Sequence, residues 1–287
     1  MFKNKFQRRA LTLFCLTLLA SFITLVAPLW AQNSIDVSGN RSLRVQDISG
    51  NVQYFTTNTS YPAQVGGQLT AVGDGVRTGN GSSCTLAVDV GVGTIALREN
   101  TELLIQELAF AEDNGRITRL SVPQGSVTLN LRRFTHRGSE LEIETPSGVS
   151  GVRGTEFGII VHPEDQRTSV ATETGAVFAE AVGTTVDVPD GFQTLMRVGE
   201  PPLEPQPIPA EPVFEYRVEE SIRNSVRYLV LVGRIDPINQ IYVADELQDV
   251  TETGEFRYES LAYRGVSIQV NIVTPLGDVT TYDISLL

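Results

Sequence analysis

Beyond residue 43 the apolar residues recur at every second position in short runs, and runs of that period bury one face only as β-strands. The runs fall at 43–48, 50–56, 84–88, 93–98, 102–108, 116–122, 126–132, 140–144, 156–162, 169–172, 176–181, 185–188 and 192–198, and they are rich in Val, Ile, Thr, Tyr and Phe. Between them Asp113-Asn114-Gly115, Pro123-Gln124-Gly125, Glu173-Thr174-Gly175 and Pro189-Asp190-Gly191 place Gly or Asn where a hairpin needs positive φ. The expected result is a meander of consecutive hairpins. In it Leu120, Val122, Val127, Leu129 and Leu131 fill one side while Arg119, Thr128, Asn130 and Arg132 face outward. No helix-period segment of good length interrupts these runs. The fold class is all-β, and a sandwich, a β roll and a short solenoid all remain open.

One stretch departs from the alternation. Residues 144–157 read Glu-Thr-Pro-Ser-Gly-Val-Ser-Gly-Val-Arg-Gly-Thr-Glu-Phe. Leu141 and Ile143 alternate with Glu140, Glu142 and Glu144 before it, and Phe157, Ile159 and Val161 alternate after it as a half-buried strand would. Pro146 forces Thr145 toward the extended region, and Gly148, Gly151 and Gly154 permit positive φ or close backbone approach. The stretch therefore reads as strand, irregular bend, strand.

The same residues resemble the signature of FecR-type domains, carried here by Thr145, Pro146, Gly148, Val152, Arg153, Gly154, Thr155 and Phe157. Upstream, Gly67-Gln68-Leu69, Gly73-Asp74-Gly75-Val76-Arg77-Thr78-Gly79 and Ser82-Ser83 are similar to the earlier pattern of that family. The resemblance covers about residues 43–199. It implies a β roll or sandwich and an extracytoplasmic module of bacterial envelope signalling. In the bend, Arg153 can cap carbonyls and Thr155 can bond the same backbone, which makes both structural; contact with a partner is the alternative.

Residues 1–9 carry Lys3, Lys5, Arg8 and Arg9, and a mostly apolar run follows from Ala10 to Ala27. This is the layout of a signal peptide over residues 1–31, with an uncleaved N-terminal anchor as the alternative and the sole expected tie to a membrane. The expected location is periplasmic, cell-surface or secreted. Of 22 basic and 34 acidic residues those four basic ones lie in the leader, so the remainder holds 18 against 34, a formal charge of −16. Such a surface repels phosphate backbones and argues against nucleic acid as a partner. Cys84 stays as a small buried strand residue.

Gly199 to Pro212 holds six prolines in fourteen residues. Residues 200–212 read as a Pro-rich linker, a semi-rigid spacer of roughly 40 Å that holds its neighbours apart. Residues 213–287 form a second β unit, with 215–227 ambiguous between helix and strand. Leu231-Val-Gly-Arg-Ile-Asp-Pro237, Ile241-Tyr-Val243 and Gly254-Glu-Phe256 resemble immunoglobulin-like modules, glucodextranase domain B among them, and imply a small β-sandwich.

No catalytic constellation emerges. His136 and His162 accompany no Gly-x-Ser-x-Gly elbow and read as surface or turn histidines. Neither a zinc pattern nor a calcium loop is present, although Asp187 and Asp190, or Asp245, Glu246 and Asp249, carry suitable oxygens; no metal or cofactor is expected. Glu140, Glu142 and Glu144 lie roughly 6.7 Å apart on one strand face, a spacing that suits paired glycosidase carboxylates, and a solvated face is the plainer reading. The expectation is a non-enzymatic extracytoplasmic scaffold or binding module with a protein or glycan partner. A signalling component of iron or siderophore uptake, and an accessory subunit of a glycan-acting enzyme, are the alternatives.

Overall fold

The computed structural model of the protein describes residues 41–152, 154–262 and 267–285. The leader expected at 1–31 and the signature residue Arg153 lie outside the described residues. Every regular element described is a strand. The first nine are β1 (Leu43–Ser49), β2 (Val52–Phe55), β3 (Ser60–Pro62), β4 (Gln68–Leu69), β5 (Gly75–Thr78), β6 (Ser83–Val88), β7 (Gly93–Leu97), β8 (Glu102–Phe110) and β9 (Arg116–Leu131). Next come β10 (Glu140–Thr145), β11 (Gly148–Val152), β12 (Glu156–Val161), β13 (Thr168–Thr174), β14 (Ala176–Ala181), β15 (Thr184–Pro189), β16 (Phe192–Met196) and β17 (Gln206–Pro207). The remaining seven are β18 (Phe214–Arg223), β19 (Val226–Ile235), β20 (Gln240–Val243), β21 (Glu246–Leu247), β22 (Glu255–Leu261), β23 (Ser267–Val273) and β24 (Val279–Ser285).

β1 to β17 are one hydrogen-bonded network folded into two layers. One layer runs β4-β1-β6-β7-β9-β12-β13-β16-β17, antiparallel throughout. The other runs β3-β2-β5-β8-β9-β10-β11-β14-β15, with β9 and β10 parallel. β9 belongs to both. Its first half pairs with β8 and β10, its second half with β7 and β12. Leu120 and Val122, then Val127 and Leu129, all point into the single core between the layers, and Asn130 and Arg132 are exposed. The inward parity changes across the bend, so one strand can line both walls.

That bend corrects the meander. Gly125 has φ +95°, but it turns one continuous strand from layer to layer and closes no hairpin. Gly175 (φ +91°) and Gly191 (φ +76°) likewise stand where the chain leaves one layer for the other. Of the four expected turns, Asp113-Asn114-Gly115 alone closes a hairpin, β8 to β9, with Asn114 at φ 63°. Residues 148–152, expected as part of a bend, form strand β11 between β10 and β14. Its Gly151 leaves room for the ring of Phe178 on β14, with which it is directly paired.

The proline-rich segment does not hold its neighbours apart. Leu203 N–H bonds Leu195 C=O at 3.0 Å, Gln206 and Pro207 pair with β16, and Ile208 N–H bonds Gly191 C=O at 2.8 Å. The segment lies back along the edge of the first layer, where a missing proline N–H costs no ladder bond. β18 follows, so the ambiguous 215–227 segment is strand, closed against β19 by Asn224 and Ser225 at φ 50° and 64°. β18-β19-β22 and β21-β20-β23-β24 are two separate sheets that enclose a second core around Leu231, Ile241, Phe256, Val270 and Ile272. Phe214 stacks into it, with ring centroids 4.6 Å from Tyr282 and 6.3 Å from Phe256.

Candidate functional site

Thr145, Pro146, Ser147 and Gly148 form a tight turn, with Thr145 and Gly148 paired across the β10–β11 hairpin. Pro146 sits at the exposed tip, where its missing N–H costs nothing. The hydroxyls beneath are linked in series. Ser147 Oγ donates to Thr168 Oγ1 at 2.6 Å, Thr168 to Thr145 Oγ1 at 2.9 Å, and Thr145 to Gly148 C=O at 2.9 Å. Thr145 belongs to one layer and Thr168 to the other, so this buried chain ties the layers together at one edge.

Past β11 the chain enters β12 by way of Gly154 and Thr155 and changes layer. Gly154 has φ +97°, and a β-carbon there would overlap the Arg133 α-carbon and the Arg132 carbonyl. Leu131 N–H closes the corner on Thr155 C=O at 3.0 Å. Thr155 Oγ1, expected to bond the bend backbone, is buried with no partner among the described residues. Val152 and Phe157 fill the core on either side. The upstream pattern is local carpentry too: Asp74 Oδ2 accepts the N–H groups of Thr70 (2.9 Å) and Ala71 (3.0 Å).

β12 is not half-buried. Phe157, Ile159 and Val161 face the interlayer core, yet Gly158 and Ile160 on the opposite face are also covered. Ser169 and Ala171 of β13, with Gln193 and Leu195 of β16, share that outer face and are buried as well. The cover comes from loops of the second pair of sheets. A β-carbon on Gly158 would overlap the Pro275 carbonyl, Arg98 Nη1 donates to Gly277 C=O at 3.3 Å, and Gln193 Nε2 reaches Asp236 Oδ2 at 3.5 Å.

At the end of this seam Arg167, 1% exposed, donates through Nε to Pro237 C=O at 3.2 Å and through Nη1 to Asp165 at 2.8 Å. His162 is buried here rather than at the surface, its Nε2 3.1 Å from Ser169 Oγ. Burial, aided by Arg167, holds its imidazole down to about 3, so it is neutral at physiological pH. The Glu164 carboxyl meets Asp249 from the second unit and is pushed up to about 7 by partial burial and that carboxylate. β12 carried a sequence signal for this two-sided burial: apolar residues at both parities in Phe-Gly-Ile-Ile-Val.

Several of the groups singled out in the sequence are engaged or sealed. Arg119 binds Glu142 at 2.7 Å, Glu140 at 3.0 Å and Glu107 as well, so two of the three ladder carboxylates are charge-compensated, and Glu144 is exposed. Cys84 is buried, and burial with Asp47 nearby pushes its thiol up to about 12, which leaves little thiolate. His136 is exposed and accepts Gly138 N–H at Nδ1. Among the described residues, no three His, Cys, Asp or Glu side chains converge as a metal site.

No curated protein matches the sequence. Two crystal structures of a candidate anti-sigma factor from Parabacteroides distasonis ATCC 8503 align at 16% and 17% identity, with TM-scores of 0.39 and 0.37. Each alignment covers 47% of this chain and 60% of the other. Residues 74–178 match the family described as FecR protein. That span holds the hydroxyl series, the Gly154 corner and most of both layers, and over it the chain is similar to the FecR family.

Proposed function

We propose that the protein is a non-enzymatic, extracytoplasmic signalling component that works by binding, through a FecR-type body at about residues 43–199 and an immunoglobulin-like sandwich at 213–287. The observation that carries this reading is the FecR match over 74–178, which falls on the corner and turn already described. It is supported by the state of the reactive groups: His162 neutral and enclosed, Cys84 enclosed as a thiol, and Glu140 and Glu142 held by Arg119. The basic, then apolar leader supports export to the periplasm or cell surface.

The partner is a protein or glycan of the envelope. Full-chain protein, used as bait on envelope extracts and on glycan arrays, is expected to retain a partner that a Gly154→Val variant, with its body disrupted, does not. Retention of nothing by the folded chain contradicts the reading. For signalling linked to iron uptake, a deletion strain grown under iron starvation is expected to change transcription of transporter genes. Unaltered transcription removes that branch.

A further inference from the structure

Within an acidic chain of formal charge −12, one pocket of about 210 Å³ is lined by three arginines, Arg41, Arg116 and Arg132, against one carboxylate, Asp89. Arg41 is its fixed floor. It is buried, and its guanidinium is bonded through Nε (3.1 Å) and Nη2 (3.0 Å) to Asp89, through Nη2 to Thr118 Oγ1 (2.5 Å), and through Nη1 to Ala109 C=O (2.7 Å) and to Ile117 C=O. Asp89 also accepts Ser42 N–H. Its charge is therefore answered by Arg41, and Arg116 approaches no closer than 3.8 Å. Arg132 N–H donates to Val92 C=O at 3.0 Å, and its guanidinium has no hydrogen bond or ion pair among the described residues. Two guanidiniums beyond the Arg41–Asp89 pair thus face the same small space.

The neutral groups around them are placed to donate. Ser139 Oγ accepts Arg116 N–H at 3.0 Å, which leaves its hydroxyl proton free. His136 accepts Gly138 N–H at Nδ1, which leaves Nε2 as its donor. Thr135 adds a hydroxyl to the lining, and Phe134, packed on the core, forms an apolar wall. The loop that carries these groups begins at Arg132, where the Gly154 corner backs onto the Arg132–Arg133 backbone. Most of the family signature lies in other walls of the fold, but its corner glycine fixes the start of this loop.

We propose that the pocket binds a small anionic ligand through carboxylate or phosphate oxygens, with Arg116 and Arg132 as charge partners and Thr135, Ser139 and His136 Nε2 as neutral donors. Planar guanidiniums match both oxygen geometries, so the chemistry shared by the two anions is what the site recognises. This reading is independent of the signalling role and stands or falls by itself.

The test is calorimetric titration of the full chain at low ionic strength with inorganic phosphate and, separately, with succinate. Saturable binding of one ligand per chain is expected for at least one probe, and the probe that binds identifies the oxygen chemistry. The Arg116→Gln/Arg132→Gln variant is expected to weaken it about tenfold or more. Arg217→Gln, a change on β18, leaves it unaltered. In wild-type protein, amide resonances of residues 134–139 are expected to shift with the same saturation curve, a readout that needs no variant to fold. No saturable binding of either anion, equal loss in Arg217→Gln, or saturation that moves only other amides overturns the assignment.

Discussion

The corner at Gly154 and the seam along β12 are near neighbours in sequence, yet they are built on opposite demands. Gly154 is glycine because its own backbone sits at φ +97° against the Arg132–Arg133 peptide within the same body. Gly158 has no such conformation; it is glycine because the Pro275 carbonyl of the second pair of sheets lies where its β-carbon would be. One glycine serves folding and the other serves docking. A short stretch can therefore carry two kinds of constraint that look alike in sequence.

Substitution at the corner sharpens that contrast most. Gly154→Val is expected to destabilise the first body by about 3 kcal/mol or more, since backbone strain adds to an overlap that no side-chain rotation relieves. Wild-type-like melting of the variant would break the distinction from the side of the corner.

Acid titration probes the seam next. The folded His162 imidazole is held down to about 3, against about 6.5 in an unfolded chain. The folded state thus excludes a proton that the unfolded state binds. Its contribution is complete above pH 6.5 and is lost as pH falls toward 3, at about 1.4 kcal/mol per pH unit inside that window. Denaturant unfolding between pH 7 and 4 is expected to show this slope, and His162→Asn to flatten it. An identical slope in the variant would place the acid sensitivity elsewhere.

Glu164 acts in the opposite direction and more weakly. Its folded carboxyl is raised to about 7, so the folded state holds a proton that the unfolded state releases. Stability from this group declines as pH rises from about 4.5 through 7, by about 1 kcal/mol or less because Glu164 is an exposed residue screened by solvent. Glu164→Gln is expected to remove that decline. A variant that keeps it would mean that Asp249 does not sense Glu164 across the seam.

Much of the fold was legible because alternation reports burial directly: Leu120, Val122, Val127, Leu129, Leu141 and Ile143 are all core residues, as their period indicates. What alternation cannot report is which layer a strand joins. A glycine at positive φ suits a hairpin, a bend within a strand or a corner between layers, and so Gly125, Gly175 and Gly191 looked alike while performing two different tasks. β11 was hidden because Gly148 and Gly151 supply no side chains to alternate; the Phe178 ring that completes its surface lies far along the chain. The proline-rich segment misled for a related reason. Proline forbids interior ladder positions but tolerates an edge, and the sequence does not say whether an edge is within reach.

The candidate site was legible only in part. Thr145, Pro146, Gly148, Val152, Gly154, Thr155 and Phe157 were singled out together, but the structure divides them among a turn, a core and a corner. The pocket of Arg41, Arg116 and Arg132 left no local signal, since its residues are separated by 75 and 16 positions and meet only through the pairing of β8, β9 and the loop after it.

Docking of the second pair of sheets against β12 is the central claim, and small-angle scattering of full-length Gly158→Val against wild type tests it most directly. The expected result is a larger radius of gyration for the variant, as the Pro275 turn is pushed off the strand, together with a first melting transition close to that of wild type. Superimposable scattering curves, with Gly158→Val as compact as the parent, would contradict the account.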